Sequence, residues 1–253
     1  MSQDLELALE LADLADPLAL ARFRERDLVV ETKADLTPVT EADRAVEEAI
    51  AGRLARDRPA DGVLGEEHGV RAADGNRRWI VDPIDGTRNY ARGIPVWATL
   101  IALEEEGEIR LGVVSAPALD RRWWAERGSR AFANGDPVHV SSVERIEDAV
   151  LCFQLEAAPA ALVERCWHAR SFGDFWAHML VAEGAVDGAA DAVGVSVWDM
   201  AAVQVIVEEA GGRFSDLAGA ARADGGAGVT SNGLLHEELL DALGSIRGQT
   251  PGV

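Results

Sequence analysis

The chain has 253 residues, of which 48% are hydrophobic and 27% are charged, a composition typical of a globular protein with a sizeable core. Its formal net charge of −20 at pH 7 disfavours nucleic acid and anionic membrane surfaces as partners, because both would repel it. No apolar run approaches the ~18 residues of a membrane-spanning helix, and we expect no contact with a membrane.

Two features favour a cytoplasmic location. The chain begins with Met1-Ser2-Gln3-Asp4-Leu5-Glu6, and this acidic start lacks the basic residues of a secretory signal. The two cysteines, Cys152 and Cys166, fit reduced, buried thiols better than a disulfide framework.

The first part of the chain is predicted to form two helices followed by an antiparallel meander. Leucines between residues 5 and 18 predict the first helix, and apolar residues four apart predict a second over 40–58. Turns are predicted at Glu105-Glu106-Gly107 and at Asn134-Gly135, of which the second is a strong hairpin signal. Strands are expected around residues 79–82, 96–103, 109–115 and 122–126.

After about Ile146 the pattern changes to alternating strands and helices. Helices that cover sheets in both halves predict a mixed α/β (α+β) fold, a five-layered α/β/α/β/α sandwich. We divide it into an N-terminal part, 1–145, which holds most candidate metal ligands, and a C-terminal α/β part, 146–253. The second part is expected to contain strands near 151–153, 186–189 and 212–215, and helices around 158–168, 174–183 and 199–210.

The most informative motif is Asp82-Pro83-Ile84-Asp85-Gly86-Thr87, which directly follows an apolar run. An apolar run broken by proline and then Asp-Gly predicts a buried strand that leads into a tight loop. Two carboxylates three residues apart on that loop would point into one cleft, where a cation such as Mg²⁺ would relieve their repulsion. Gly86 would let the backbone approach closely, and the following N–H groups would face an anion. A metal beside an anion pocket predicts phosphate chemistry.

Further acidic residues each fit two roles. Glu66 and Glu67 follow a glycine at the end of a predicted strand, where they are either solvated turn carboxylates or part of the same cleft. Thr40 and Asp43 match the pattern of a helix capping box, which explains Thr40 fully and Asp43 partly. Asp199 opens a predicted helix, where a carboxylate also favours the helix dipole.

Lys33 is the single lysine of an arginine-rich chain. Its position is either chance or a choice of a compact point charge near phosphate or metal.

Three motifs occur in an order that resembles the inositol monophosphatase superfamily of Mg²⁺-dependent, lithium-sensitive phosphomonoesterases. They cover the chain from about Lys33 to Gly233. The resemblance implies the five-layer fold, an active site between the two halves, two or three Mg²⁺ ions (with Mn²⁺ or Zn²⁺ as alternatives) and a homodimer. The motifs are Gly65-Glu66-Glu67, the stretch 82–89, and Trp198-Asp199-Met200-Ala201-Ala202 followed by Glu209-Ala210-Gly211-Gly212.

The resemblance also implies a role for each candidate metal ligand. Glu66 would bind the first metal and help to activate water, and Asp82 would bridge two metals. The carbonyl of Ile84 would complete the first site. Asp85 and Asp199 would bind the second metal.

Other residues would act on water and phosphate. By the same resemblance, Asp43 would pair with Thr87 to deprotonate or orient the attacking water. If a helix starts at Gly86, the N–H groups of Gly86 and Thr87 would hold phosphate oxygens. Lys33 and Glu67 would lie next to the metal ligands.

Within the superfamily, three segments are most similar to bacterial histidinol-phosphate phosphatases. Asp174 and Arg170 lie in the expected substrate loop, and together with Gly86, Thr87 and Asp199 they are the candidate substrate-binding residues. An acidic pocket there suits the ammonium and imidazole groups of histidinol phosphate. Inositol phosphatases carry a glutamate where this chain has Ala192, although Asp191 next to it could replace that glutamate. The segments are 96–103, 115–119 with Trp123-Trp124, and 173–176.

We therefore predict a phosphatase that hydrolyses L-histidinol phosphate to L-histidinol and phosphate in histidine biosynthesis, by in-line attack of metal-activated water. The alternatives are an inositol-1-monophosphatase or another small phosphomonoester phosphatase of the superfamily, a phosphatase of the haloacid-dehalogenase type, and a non-catalytic metal-binding module. Asp85-Gly86-Thr87 resembles the end of the haloacid-dehalogenase motif, but that motif needs a nucleophilic aspartate where this chain has Pro83.

Overall fold

The structure, a computed structural model, describes residues 1–25, 27–33, 38–71, 75–154 and 159–244. The predicted loop residues 34–37 and the predicted helix start at 158 lie outside these ranges. The helices in the described ranges are α1 Gln3–Arg22, α2 Glu41–Asp57, α3 Thr87–Ala91, α4 Ala160–Arg165, α5 Asp174–Ala182, α6 Val197–Glu209 and α7 His236–Gly244.

Strands β1 and β2 form a small separate ribbon, and the other strands form two larger sheets. In chain order the strands are β1 Val30–Thr32, β2 Pro38–Thr40, β3 Gly62–Gly65, β4 Gly69–Arg71, β5 Arg77–Asp85, β6 Ala98–Glu105, β7 Glu108–Ala116, β8 Arg121–Glu126, β9 Ala131–Ala133, β10 Asp136–Pro137, β11 Val150–Phe153, β12 His168–Arg170, β13 Gly188–Asp191, β14 Arg213–Ser215 and β15 Gly228–Ser231.

The first sheet has the order β10-β9-β8-β7-β6-β5-β3-β4, and both of its faces are apolar. Because side chains alternate along a strand, Trp79 and Val81 of β5 face one side and Ile80 faces the other. Helices α1 and α2 cover the first side, and α5 and α6 cover the second. The strands therefore read as continuous apolar runs, which is typical of a sheet buried on both faces.

The second sheet has the order β12-β11-β13-β15-β14 and mixes parallel with antiparallel pairs. Cys152 of β11 faces α5 and α6, whereas Leu151 and Phe153 face α4 and α7. Helices α5 and α6 thus form a middle layer between the two sheets. The predicted five-layered α/β/α/β/α sandwich is confirmed, while the division of the chain near residue 145 stays a prediction.

Both predicted turns are present, and their backbone angles explain the residues found in them. Glu106 and Gly107 join β6 to β7 with φ angles of 56° and 81°, and Asn134 and Gly135 join β9 to β10 with 49° and 95°. Positive φ at both central residues is the geometry of the two-residue hairpin turn, for which Asn-Gly is strongly preferred.

One predicted helix is shorter in the structure. Helix α4 ends at Arg165 rather than near 168, because residues 168–170 pair in parallel with β11. Both cysteines are free and buried, as expected. Among the described residues, no helix combines the length and apolar character that crossing a membrane would need.

Candidate metal and phosphate site

Strand β5 carries the carboxylates of Asp82 and Asp85, and both lie on the same side of the first sheet. Residues 82 and 85 are an odd number of positions apart, so in a regular strand their side chains would face opposite sides. The pairing of β5 with β6 is irregular between Asp82 and Asp85, at the point where Pro83 has no N–H to donate. The Pro83 carbonyl accepts a hydrogen bond from Thr99 Oγ1 at 2.8 Å instead. This irregularity lets both carboxylates turn into one cleft.

Asp82, Asp85 and Asp199 form an acidic cluster. Each offers one carboxylate oxygen, and these oxygens all lie within 4.8 Å of one another. Burial raises the pKa of Asp82 and Asp85 well above the usual range, with neighbouring carboxylates adding to the effect. Burial likewise raises the pKa of Asp199 to about 7. Buried like charges at this spacing are costly unless a cation joins them, and hard oxygen donors fit a divalent cation such as Mg²⁺.

Asp199 has a capping role as well as its place in the cluster. It is the third residue of α6, and its Oδ2 accepts the Ser196 N–H at 2.7 Å in a capping box. The hydrogen bond fixes the carboxylate at the first turn of the helix, next to Asp82. The two interpretations of this residue from sequence are therefore compatible.

Asp43 also combines a cap with a place in the site. Its Oδ2 accepts the Thr40 N–H at 2.9 Å, and its Oδ1 lies 3.2 Å from Thr87 Oγ1. Burial raises the pKa of Asp43 to about 6, and the nearby charges of Glu67 and Glu66 add to this, although its hydrogen bonds with Thr40 oppose it. Thr87 Oγ1 also lies 2.9 Å from the Ile84 carbonyl, so one hydroxyl proton has two possible acceptors.

Glu66 and Glu67 lie in the turn after β3, beside the cluster. The charge of Glu66 is the strongest of those that raise the pKa of Asp82. Lys33 Nζ lies 2.7 Å from Glu66 Oε1 and also pairs with Glu67. Burial lowers the pKa of Lys33, but its hydrogen bonds with the two glutamates outweigh this and raise the pKa above its usual value. The single lysine of the chain therefore contacts the predicted metal-binding turn.

Gly86 is the N-cap residue of the short helix α3, and its φ of 81° favours glycine. A Cβ at this position would lie 3.0 Å from the Val96 carbonyl, so the backbone also approaches closely here. The predicted phosphate-binding N–H groups of Gly86 and Thr87 lie at this turn, directly after Asp85.

Asp174 lies next to the cluster, at the first residue of α5. The Phe175 N–H that follows it donates to Asp85 Oδ2 at 2.6 Å, and Asn89 Nδ2 donates to Asp174 Oδ2 at 3.2 Å. Burial raises the pKa of Asp174 to about 6, and the charge of Asp191 adds to this. The predicted substrate contact is thus adjacent to a predicted metal ligand.

Arg170 differs from the other candidates. Its side chain is exposed on β12, an edge strand of the second sheet. Within the described parts of the chain, no hydrogen bond or ion pair joins Arg170 to the acidic cluster. Its role as a substrate contact stays a prediction.

Three further residues, which the sequence motifs did not identify as functional, contact the site or the residues around it. Asn89 holds Asp174, and buried His178 lies between Asp191 and Thr230, with its Nε2 3.2 Å from Asp191 Oδ2. Glu47 is a further addition, since it is almost fully buried on α2. The sequence pattern that could have identified Glu47 is its position four residues after Asp43, on the same face of one helix.

The fold is a layered α/β sandwich. Its acidic cluster suits a divalent metal ion and lies beside the N-terminus of a short helix. This is the arrangement of a metal-dependent phosphatase. The comparisons with known proteins agree. The sequence profile of the inositol monophosphatase family matches residues 1–247. The chain therefore belongs to the inositol monophosphatase family, whose members depend on a metal ion and act on small phosphate esters.

Individual relatives cover nearly the whole chain. It is 53% identical to a histidinol-phosphatase of Mycobacterium tuberculosis, covering 95% of this chain and 97% of that protein. It is 49% identical to a histidinol-phosphatase of Streptomyces coelicolor, covering 95% and 96% respectively. Among solved structures, the Thermotoga maritima IMPase superposes with a TM-score of 0.90 at 31% identity, covering 98% of this chain and 99% of that one.

Proposed function

We propose that this chain hydrolyses L-histidinol phosphate to L-histidinol and inorganic phosphate, as a step of histidine biosynthesis. The two relatives from Mycobacterium tuberculosis and Streptomyces coelicolor are histidinol-phosphatases, which supports this substrate. The observation that carries the proposal is the position of Asp174. A half-buried carboxylate adjacent to the acidic cluster, with the buried Asp191 close by, provides negative charge for the ammonium group of the alcohol part.

In this proposal two or three Mg²⁺ ions would be held by Glu66, Asp82, Asp85, Asp199 and the Ile84 carbonyl. All donors are oxygens, which suits Mg²⁺ and Mn²⁺ better than Zn²⁺. Bound ions would supply an activated water and would neutralise charge on the phosphate group.

The remaining roles belong to groups of the chain. Asp43, with its pKa near 6, is suited to take a proton through the Thr87 hydroxyl, to which it is hydrogen-bonded. The N–H groups of Gly86 and Thr87 hold phosphate oxygens. Lys33 holds Glu66 in place.

We also propose that Glu67 supports Glu66, that Arg170 contacts the substrate from the second sheet, and that the protein is a cytoplasmic homodimer. The pairing of Glu67 with Lys33 supports the first of these roles. The family resemblance supports the substrate contact and the homodimer, and the two free, buried cysteines support the location. Light scattering coupled to size-exclusion chromatography measures the oligomeric state directly.

A substrate panel tests the function. Purified protein is assayed for phosphate release from histidinol phosphate, inositol 1-phosphate, a nucleoside 3′-phosphate and a sugar bisphosphate, each with Mg²⁺ and with chelator. We expect histidinol phosphate to give the highest kcat/KM and chelator to abolish turnover. A higher kcat/KM for inositol 1-phosphate would contradict the substrate assignment, and full activity in chelator would contradict the mechanism.

A further inference from the structure

Glu47 contacts the turn that carries Glu66 and Glu67, although it lies on a different element. It is buried on α2, with 2% of its surface exposed. Its Oε2 accepts the Glu67 N–H at 2.7 Å, and its Oε1 accepts the His68 N–H at 2.8 Å. We propose that Glu47 is a positioning residue that fixes this turn so that Glu66 can bind metal. The inference rests on the proposed role of Glu66 as a ligand.

The turn needs an acceptor of this kind. Residues 66–68 connect β3 to β4, whose last register pair is Gly65 and Gly69. The N–H groups of Glu67 and His68 lie beyond this pairing, and the Glu47 carboxylate supplies the acceptor that a neighbouring strand would otherwise provide. A carboxylate that accepts two N–H groups makes charge-assisted hydrogen bonds, which are stronger than neutral ones.

Gly65 shows how closely Glu47 approaches the turn. A Cβ at Gly65 would lie 1.9 Å from Glu47 Oε1 and 2.4 Å from its Cδ. Since the φ of Gly65 is not in the left-handed region, the position excludes a side chain because of Glu47 rather than because of backbone strain. The glycine before Glu66 therefore makes room for the carboxylate that holds the turn.

Helix α2 connects this contact to the other side of the site. Asp43 and Glu47 are four residues apart, so both face the same way from α2. Asp43 reaches Thr87 after β5, and Glu47 reaches the turn after β3. One rigid helix thus sets the position of the metal-binding turn relative to the proposed proton acceptor.

The first experiment compares Glu47→Gln with Glu48→Gln, whose parent residue is exposed on the same helix. Glutamine keeps the size of the side chain but turns an amide N–H toward a backbone N–H. Equilibrium Mn²⁺ binding is followed by EPR, with melting temperature as a check on folding. We expect Glu47→Gln to weaken binding at one site about 10-fold or more, and Glu48→Gln to stay within twofold of the wild type. The Mg²⁺ concentration for half-maximal turnover should rise in parallel, with kcat largely recovered at high Mg²⁺.

A folded Glu47→Gln protein with wild-type Mn²⁺ affinity would overturn the inference. Glu66→Gln separates this result from a failure of the proposed site. If Glu66→Gln weakens Mn²⁺ binding and Glu47→Gln does not, only the role of Glu47 is wrong. If Glu66→Gln itself binds Mn²⁺ like the wild type, the ligand assignment is wrong and the inference falls with it.

A double-mutant cycle tests the contact itself. Gly65→Ala alone is expected to weaken Mn²⁺ binding, because its Cβ displaces the Glu47 carboxylate. In a Glu47→Ala background that space is free, and Gly65→Ala should add no further loss. Additive losses would show that Gly65 and Glu47 act separately and would contradict the proposed contact.

Discussion

Thr87 and Asp43 are joined by a hydrogen bond of 3.2 Å between Oγ1 and Oδ1, although they lie 44 residues apart in the chain. Thr87 is the first residue of α3, and Asp43 lies in the first turn of α2. The other oxygen of Asp43 accepts the Thr40 N–H, so the capping box leaves Oδ1 facing Thr87. A helix cap therefore fixes the orientation of a proposed catalytic carboxylate.

The hydrogen bond between Asp43 and Thr87 should control turnover. Thr87→Val removes the hydroxyl at nearly constant volume, and we expect kcat to fall by roughly 10²–10⁴ with Mn²⁺ affinity unchanged. Thr87→Ser retains the hydroxyl and should keep most of the activity. Steady-state kinetics at saturating Mg²⁺ measures both variants, and wild-type kcat in Thr87→Val would contradict the proposed proton path.

Asp82→Asn should lower activity by orders of magnitude and yet stabilise the metal-free fold. The substitution removes one of several buried like charges, which repel each other when no cation is present. In chelator at pH 8, its melting temperature should equal or exceed that of the wild type, and Mg²⁺ should raise it less. Near-normal turnover in this variant, or a large loss of stability in chelator, would count against the proposed role of Asp82.

Stability without metal should fall as the pH rises from about 4 towards 7. Burial raises the pKa of Asp199 from 3.8 to about 7, so between these pH values the folded protein holds a proton that the unfolded chain has lost, and the free energy of unfolding declines. Burial raises the pKa of Asp43 and Asp174 from 3.8 to about 6, which adds to the decline. Burial lowers the pKa of His236 from 6.5 to about 4, which gives the opposite slope below about pH 6.5, but one histidine offsets only one of the three carboxylates.

Melting curves in chelator from pH 5 to 7 measure this effect. Each proton lost contributes about 1.4 kcal/mol per pH unit, or roughly 3–5 °C for a chain of this size. With saturating Mg²⁺ the decline should be much smaller. A melting temperature in chelator that rises over this interval would show that the cluster is not protonated as expected.

Asp174→Asn should act mainly on cationic substrates. Asparagine tolerates the left-handed φ of 58° found at this residue, so the backbone should be undisturbed. Loss of a charged hydrogen bond should lower kcat/KM for histidinol phosphate about 10-fold or more, with a much smaller effect on a neutral ester such as glycerol 2-phosphate. Equal losses on the two substrates would mean that Asp174 does not recognise the ammonium group.

Gly112→Ala tests the close packing of helix α6, in the middle layer, against the first sheet. A Cβ at Gly112 of β7 would lie 2.7 Å from the Cα of Ala202 in α6, the helix that carries Asp199. Backbone atoms cannot move away without disturbing the helix, so we expect the free energy of unfolding in denaturant to fall by about 1–3 kcal/mol. Gly52→Ala on α2 meets nothing within 4 Å and is the matched control, which should be neutral or stabilising. Equal effects of the two substitutions would contradict this packing.

Much of the fold could be predicted because local patterns and global packing agree. Apolar positions four apart in α2, continuous apolar runs in β5 and β6, and Asn134-Gly135 at a hairpin each have one favoured structure. The strand β12 was not predicted, because a three-residue edge strand is defined by its parallel partner β11 and not by its own sequence.

The sequence by itself determined the layered α/β architecture, the family and the set of acidic residues, since these depend on apolar periodicity, turn chemistry and motif order. Only the tertiary structure decided which carboxylates share a cleft and which residues hold them. The irregularity after Asp82 reverses the side that strand periodicity assigns, and the contact of Glu47 with the turn after β3 spans two elements. Such relationships depend on how separate elements pack, and no local pattern contains that information.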